Sequence, residues 1–223
     1  MVVEVLMDRT RSDRSTVALE AVPMGLDAAP ITFSILGITI LASLGAWSNR
    51  ALMHGQVLQP YAVVRYGRWH QLLTSGFLHA NGAHLFLNMF TLFFFGPPME
   101  RALGSLDFLV LYVGSLLAGS FATLAFHKDD PGYRAVGASG AISGVVFGFV
   151  LFRPLAKIYL FLIPIGIPAV LFAIGYLAVS LYGARTRWGN IGHTAHLGGA
   201  VGGIVLTVLL YPRVVGIFLS HFR

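Results

Sequence analysis

Residues 136–152 read VGASGAISGVVFGFVLF. The run carries no charge and sets Gly140, Gly144 and Gly148 at every fourth position. A membrane span needs roughly 20 apolar residues, with a range of about 17 to 25. This run meets that length, as do 31–47, 107–126, 165–182 and 193–211, some only with polar insertions, and the shorter run 82–96 is read as a sixth span. The expected fold is an all-α integral membrane protein, a six-transmembrane-helix bundle. Residues 60–77, with Tyr61, Tyr66, Trp69 and Phe77, are too polar to span and too apolar to float in water. Aromatic residues of this kind favour the lipid–water interface. This segment is expected to lie half-buried along the membrane surface.

Composition supports a membrane setting. The chain has 223 residues, of which 56% are hydrophobic and 11% charged. Its mean hydropathy is +0.76. Soluble domains carry about a quarter charged residues, so this chain cannot cover a water-facing surface. The formal charge of +6 comes from basic residues scattered between apolar runs. That pattern fits loops facing lipid headgroups rather than nucleic acid. The absence of cysteine excludes disulfide frameworks, thiolate metal sites and a cysteine nucleophile. Residues 1–30 hold Glu4, Asp8, Arg9, Arg11, Asp13, Arg14, Glu20 and Asp27, and read as a polar tail before one membrane domain at 31–223. About eight basic residues fall on the side of the N-terminus and about seven on the other. The positive-inside rule therefore leans only slightly toward a cytoplasmic N-terminus.

Polar residues inside a span are costly and point to function. Spans two, four and six run in one direction. His84 and Asn88 fall near the start of span two, Ser139 near the start of span four and His196 near the start of span six. At a rise of about 1.5 Å per residue, all four approach one layer below one face. A serine hydroxyl needs a base to become a nucleophile, and histidine is the usual base. His84 and Asn88, four apart, share a helix face and can donate to a developing oxyanion. No Asp or Glu lies well inside a span, so the arrangement must be a dyad. Gly137, Gly140 and Gly144 on span four, with Gly198, Gly199, Gly202 and Gly203 on span six, form small faces that let two helices approach closely.

Blander readings cover other polar residues. Ser34, Ser115, Ser120 and Ser143 are expected to bond their own backbone. His54, His127 and His221 are expected at the interface. His193 is not expected to be a metal ligand, since no carboxylate accompanies it and no H-E-x-x-H occurs. No metal or other cofactor is expected. The lack of an intramembrane Asp pair argues against aspartyl chemistry, and the lack of buried carboxylates argues against an ion relay.

These residues carry a resemblance to the rhomboid intramembrane serine proteases in their basic six-helix form, over about residues 67–203. Gly137-Ala138-Ser139-Gly140 matches the family's G-x-S-G. Ala195-His196, followed by Gly199 and Gly203, matches its A-H-x-x-G-x-x-x-G. His79, His84 and Asn88 match H-x-x-x-x-H-x-x-x-N, and Gly96, Glu100 and Gly104 match G-x-x-x-E-x-x-x-G. The resemblance implies Ser139 as nucleophile and His196 as base. It places His84, Asn88 and the Ser139 N–H at the oxyanion, and gives His79 and Glu100 structural roles. Two positions depart. Trp69 is followed by His70 where the family commonly has arginine. Ser143 stands where the family often has an aromatic packed on the histidine, so Phe147 or another ring must serve if the base is held that way.

The resemblance also implies a setting: a multi-pass protein of the cell membrane, surrounded by lipid, cutting other membrane proteins in or near their transmembrane segments. The segment 163–168, rich in Pro and Gly, either gives span five a mobile end or only shapes a turn. The rival functions are a non-catalytic relative that binds membrane clients, a small transporter or channel, and a lipid or ester hydrolase. Nucleic acid is not expected as a partner, and the oligomeric state stays open.

Overall fold

The structure, a computed structural model, describes residues 27–160, 165–186, 188 and 192–223. The polar tail therefore lies outside the described residues as far as position 26. In chain order the elements are helices α1 (Pro30–Ser48), α2 (Arg50–Gln56), α3 (Pro60–Tyr66) and α4 (Gln71–Thr74) and a 3-10 turn (Ser75–Phe77). Next come α5 (Gly82–Leu103), α6 (Ser105–His127) and α7 (Ser139–Phe152), then strands β1 (Lys157–Tyr159) and β2 (Gly166–Pro168). The chain closes with α8 (Ala169–Thr186), α9 (His193–Leu210) and α10 (Val214–Ser220).

Helices occupy all six expected spans. By length and composition, α1, α6, α8 and α9 are long and apolar enough to cross a membrane. The other two differ from expectation for physical reasons. Helix α5 runs past Gly96, through Pro97 and Pro98, to 22 residues, and its polar His84, Asn88, Glu100 and Arg101 dilute its apolar character. Helix α7 has only 14 residues, about 21 Å at the helical rise, against a hydrocarbon core of about 30 Å. It starts at Ser139 rather than 136, because Gly137 adopts a positive φ of 124° that ends the helical path. A short helix is tolerated at membrane depth when protein rather than lipid surrounds it. Every residue of α7 from Gly140 to Val150 is buried.

Helix α7 is the centre of the bundle, and glycines set its neighbours. A Cβ on Gly199 would overlap the Gly140 carbonyl, and one on Gly203 would overlap the Gly144 backbone. The pairing 140 with 199 and 144 with 203 makes α7 and α9 parallel. On α6, Gly119 meets the Ala195 carbonyl and Gly114 meets Leu206, so α6 runs antiparallel to α9. Without a hydrophobic drive between helices in lipid, close backbone packing of this kind holds a bundle together. Phe95 of α5 meets Phe149 of α7 edge-on, with ring centroids 5.0 Å apart.

Glu100, in the last turn of α5, ties α1 into this frame. Its carboxylate accepts the N–H of Ile31 at 2.9 Å and the N–H and hydroxyl of Thr32 at 2.8 Å each. It also accepts the Ser105 hydroxyl at 2.8 Å. The start of α1 has no side-chain cap of its own, so a distant carboxylate satisfies N–H groups that a helix start leaves open. This carboxylate became part of a helix only because α5 is longer than expected.

Residues 50–77 form α2 to α4 and the 3-10 turn. Pro60, Ala62, Val63, Gln71 and Leu72 are buried, while Tyr66 and Trp69 stay exposed. This is the half-buried segment expected from its composition. It is anchored on α6, where the Ser120 hydroxyl donates to the Leu72 carbonyl at 2.7 Å. Leu58 and Ala135 exchange backbone hydrogen bonds of 3.0 and 2.9 Å. Strands β1 and β2 pair antiparallel, with Ile158 opposite Ile167, a small β element that the all-α expectation did not contain. The segment 163–168 thus enters a strand at Gly166, and its first two residues lie outside the described ones.

Candidate active site

The turn before α7 is built from three directions. The Gly137 N–H donates to the Ser75 carbonyl at 3.0 Å. The Ala138 N–H donates to Nε2 of His79 at 3.3 Å. The ring of His84 fills the space beside Gly137, where a Cβ would come within 2.6 Å of Cε1. Glycine is required at 137 twice over, by its positive φ and by this ring. Ser139 follows as the first residue of α7. No side chain caps this helix start, so the Ser139 N–H belongs to the open, partly positive end of a helix.

His79 is buried and its tautomer can be deduced. Nε2 accepts from Ala138, so Nδ1 carries the proton and donates to the Ser43 hydroxyl at 3.1 Å. Ser43 in turn donates to the Phe77 carbonyl at 3.1 Å. Trp47 Nε1 donates to the His79 carbonyl at 2.7 Å. Burial, helped by the neighbouring His84, lowers the His79 pKa to about 4, which keeps the ring neutral for this role. His79 therefore ties α1, the 3-10 turn and the α7 turn together.

His84 and Asn88 lie on the first two turns of α5. Asn81 caps that helix, its side-chain oxygen accepting the His84 N–H at 2.8 Å. The Asn88 side chain donates to the His84 carbonyl at 2.9 Å. His196 sits in the first turn of α9, with its N–H on the Gly192 carbonyl at 3.1 Å.

Ser139, His196, His84 and Asn88, drawn from three helices, all line one cavity of about 1140 Å³. The cavity reaches the loop residues Asp130, Tyr133 and Arg134. Ser139, Asn88 and His196 also line a second cavity of about 340 Å³, bounded by Leu87 and Thr91 of α5 and Phe172 and Tyr176 of α8. The two cavities meet at the serine and histidine. Gly140 lines the larger cavity and meets Gly199 in the α7–α9 contact, Gly203 lies one turn further along that contact, and Glu100 is at the far end of α5.

The two departing positions have structural answers. His70 Nε2 donates to the Gly55 carbonyl at 3.1 Å, and the Gln71 amide donates to the same oxygen at 3.1 Å. At the other position, the ring stacked on His196 is Tyr176 of α8, with centroids 5.7 Å apart and planes 28° apart. The Tyr176 hydroxyl meets Ser143 Oγ at 2.5 Å. Phe147 does not take the stacking position and packs on Tyr176 instead, at 5.7 Å. Sequence reasoning missed Tyr176. A phenolic hydroxyl in the middle of span five was the available signal, since a polar group at that depth needs a partner.

The remaining candidates fall into place. Ser143 does bond its own helix, donating to the Ser139 carbonyl at 2.7 Å, whereas Ser120 bonds Leu72 instead. His127 stacks on Tyr133 at 3.7 Å. His193 Nε2 donates to the Trp188 carbonyl at 3.1 Å. Among the described residues, no group of three or more His, Asp or Glu side chains could hold a metal.

The Rhomboid domain profile matches residues 66–213. The putative rhomboid protease YdcA of Bacillus subtilis (strain 168) is 38% identical over 150 residues, covering 67% of this chain and 71% of the relative. Rhomboid protein 1, mitochondrial, of Saccharomyces cerevisiae is 32% identical over 186 residues, covering 78% of this chain and 51% of the relative. The rhomboid protease GluP of Bacillus subtilis (strain 168) is 32% identical over 184 residues, covering 81% of this chain and 34% of the relative. The chain thus spans about half the length of the yeast relative and about a third of GluP. A domain match over most of the helical bundle, together with the membrane-length helices α1, α6, α8 and α9, makes this integral membrane protein a member of the rhomboid family.

Proposed function

We propose that this chain is an intramembrane serine endopeptidase that cuts membrane proteins in or near their transmembrane segments. The observation that carries the reading is the joint lining of one cavity by Ser139, His196, His84 and Asn88. In this mechanism His196, as neutral imidazole, takes the Ser139 proton while Oγ attacks the scissile carbonyl carbon. The tetrahedral oxyanion is held by the Ser139 N–H, His84 and Asn88, groups already fixed before charge develops. The protonated His196 then gives its proton to the leaving amine, and the acyl group stays on Ser139. Water attacks the ester with His196 again as base, and the carboxyl product leaves. Among the described residues no carboxylate lines the site beside the base, so the dyad relies on packing for that purpose.

The two cavities suit such a reaction. The larger one, lined partly by polar loop residues, can admit water. The smaller one, walled by Leu87, Ile142, Val146, Phe147 and Phe172, suits an apolar segment arriving between α5 and α8. An intact substrate helix shields its peptide bonds behind its own hydrogen bonds, so a cleavable segment must unwind first. Helix-breaking and small residues near the cut favour this.

The test uses purified wild-type and Ser139→Ala protein in liposomes, with a transmembrane model substrate and a serine-reactive fluorophosphonate. Cleavage and labelling by the wild type alone are expected. Full cleavage by Ser139→Ala would overturn the mechanism.

A further inference from the structure

We propose that Tyr176 of α8 is the positioning residue of the His196 base and couples it to the nucleophile's own helix. This inference rests on the dyad proposed above. A base without a carboxylate partner needs another group to fix the plane of its ring. Among the described residues, two aromatic contacts meet the His196 ring. Tyr176 lies along its face, and His193 meets it edge-on at 6.2 Å. Only the first contact holds the ring plane, and only Tyr176 reaches back to α7.

The direction of that link follows from proton counting. Ser143 has one hydroxyl proton, and it goes to the Ser139 carbonyl. The Tyr176 hydroxyl must therefore donate to Ser143 Oγ. A chain of two hydrogen bonds thus runs from Tyr176 through Ser143 to the carbonyl of Ser139, while the Tyr176 ring faces His196. Tyr176 is itself wedged by Phe147 of α7 and by Phe172 one turn earlier on α8, at 5.7 and 5.9 Å. The serine at position 143 is what makes room for this arrangement. A ring there would occupy the space into which the Tyr176 hydroxyl points.

Near the site α8 has another close contact, at Gly183, where the His193 ring of α9 fills the space a Cβ would take. Of its 18 residues, Ala169, Ala173, Ser180 and Gly183 are buried. Its start is pinned to the turn between α7 and β1 by Ala169 N–H on the Ala156 carbonyl and Val170 N–H on the Pro154 carbonyl, both 2.9 Å. Beyond that anchor, Tyr176 bridges α8 to α7 and α9 at once. The geometry of the base is therefore conditional on the placement of α8.

The experiment measures kcat, KM and fluorophosphonate labelling rate for wild type, Tyr176→Leu, Tyr176→Phe and Ser143→Ala, with melting temperature in detergent as the folding control. Tyr176→Leu is expected to lower kcat and the labelling rate about tenfold to hundredfold, part of what a positioned base contributes. Its KM should stay within about threefold of wild type, because positioning acts on the transition state rather than on uniform binding. Tyr176→Phe keeps the ring and is expected to restore kcat to within about fivefold of wild type, as loss of one hydrogen bond is worth about 1 kcal/mol. Ser143→Ala removes the bond without touching the ring and should match Tyr176→Phe, which keeps the test alive if Tyr176→Leu does not fold. A rise in KM at unchanged kcat would overturn the proposal and make Tyr176 a substrate contact. Equal loss in Tyr176→Phe and Tyr176→Leu would also overturn it, since the stacked ring would then carry nothing. The Ser139→Ala control separates this outcome from failure of the dyad. Without serine-dependent activity in the wild type, the proposed function fails first.

Discussion

Helices α7 and α8 lie side by side and are held in opposite ways. Helix α7 is buried from Gly140 to Val150 and meets α9 backbone to backbone at Gly199 and Gly203. Helix α8 is far more exposed, with Leu171 57% and Ile174 61% accessible, and brings Phe172 and Tyr176 to the smaller cavity. The nucleophile is thus proposed to sit on the most rigidly packed helix, and the support of its base on a loosely packed one. Glycine contacts leave no room to adjust, while a single aromatic bridge can be made and broken. In such a molecule chemistry and access can be divided between neighbouring helices.

Breaking the rigid side should have the largest effect. Gly199→Leu would drive a side chain into the Gly140 carbonyl, where backbone cannot yield. Overpacking costs about 1–3 kcal/mol and occasionally more, and here the α7–α9 contact itself must open. Loss of the cooperative melt in detergent, together with loss of cleavage, is the expected result.

At the site, Ser139→Ala and His196→Ala should each abolish cleavage with melting temperatures near wild type. His84→Ala and Asn88→Ala should cost less, about 10²–10³ in kcat for each lost oxyanion donor. Single-turnover kinetics on a transmembrane substrate would rank the four. Equal, total loss in all of them would argue against a division between dyad and donors.

Acid should loosen the α7 turn at its His79 tie. The folded pKa is about 4, lowered from 6.5, so below pH 6.5 the unfolded chain binds a proton that the folded one resists. Stability from this group is fully present above pH 6.5 and is lost as pH falls toward 4, by up to about 3 kcal/mol. Melting temperature measured across that window should fall, and His79→Gln should flatten the dependence.

The smallest effect sharpens the contrast from the loose side. Gly175 of α8 has open space around its missing Cβ. Gly175→Ala should leave activity unchanged and raise stability by about 0.5–1 kcal/mol through helix propensity. A marked loss on calorimetry would mean that α8 is packed more tightly than its exposure indicates.

Much of this was legible in the residues. Apolar runs located the six helices, because lipid demands continuous apolar length. The positions of His84, Asn88, Ser139 and His196 near the starts of their spans pointed to one layer. Helix ends were less legible. The start of α7 depends on Gly137 bonding Ser75 and Ala138 bonding His79, partners about 60 residues away. The passage of α5 through Pro97 and Pro98 depends on burial of Phe95, Met99 and Glu100 among other helices. Tyr176 was invisible as a partner of His196 because the rotation of α8 about its own axis leaves no periodic trace in so uniformly apolar a segment.

By itself, the sequence determined that this chain spans a membrane and which residues could do chemistry there. Apolar length, glycine spacing and scarce polar side chains act locally and can be read along one helix at a time. The ring stacked on His196, the start of α7 and the tie from Glu100 to α1 come only from the assembled helices. Each of these is a contact between segments far apart in the chain, and its energy exists only once the helices are side by side.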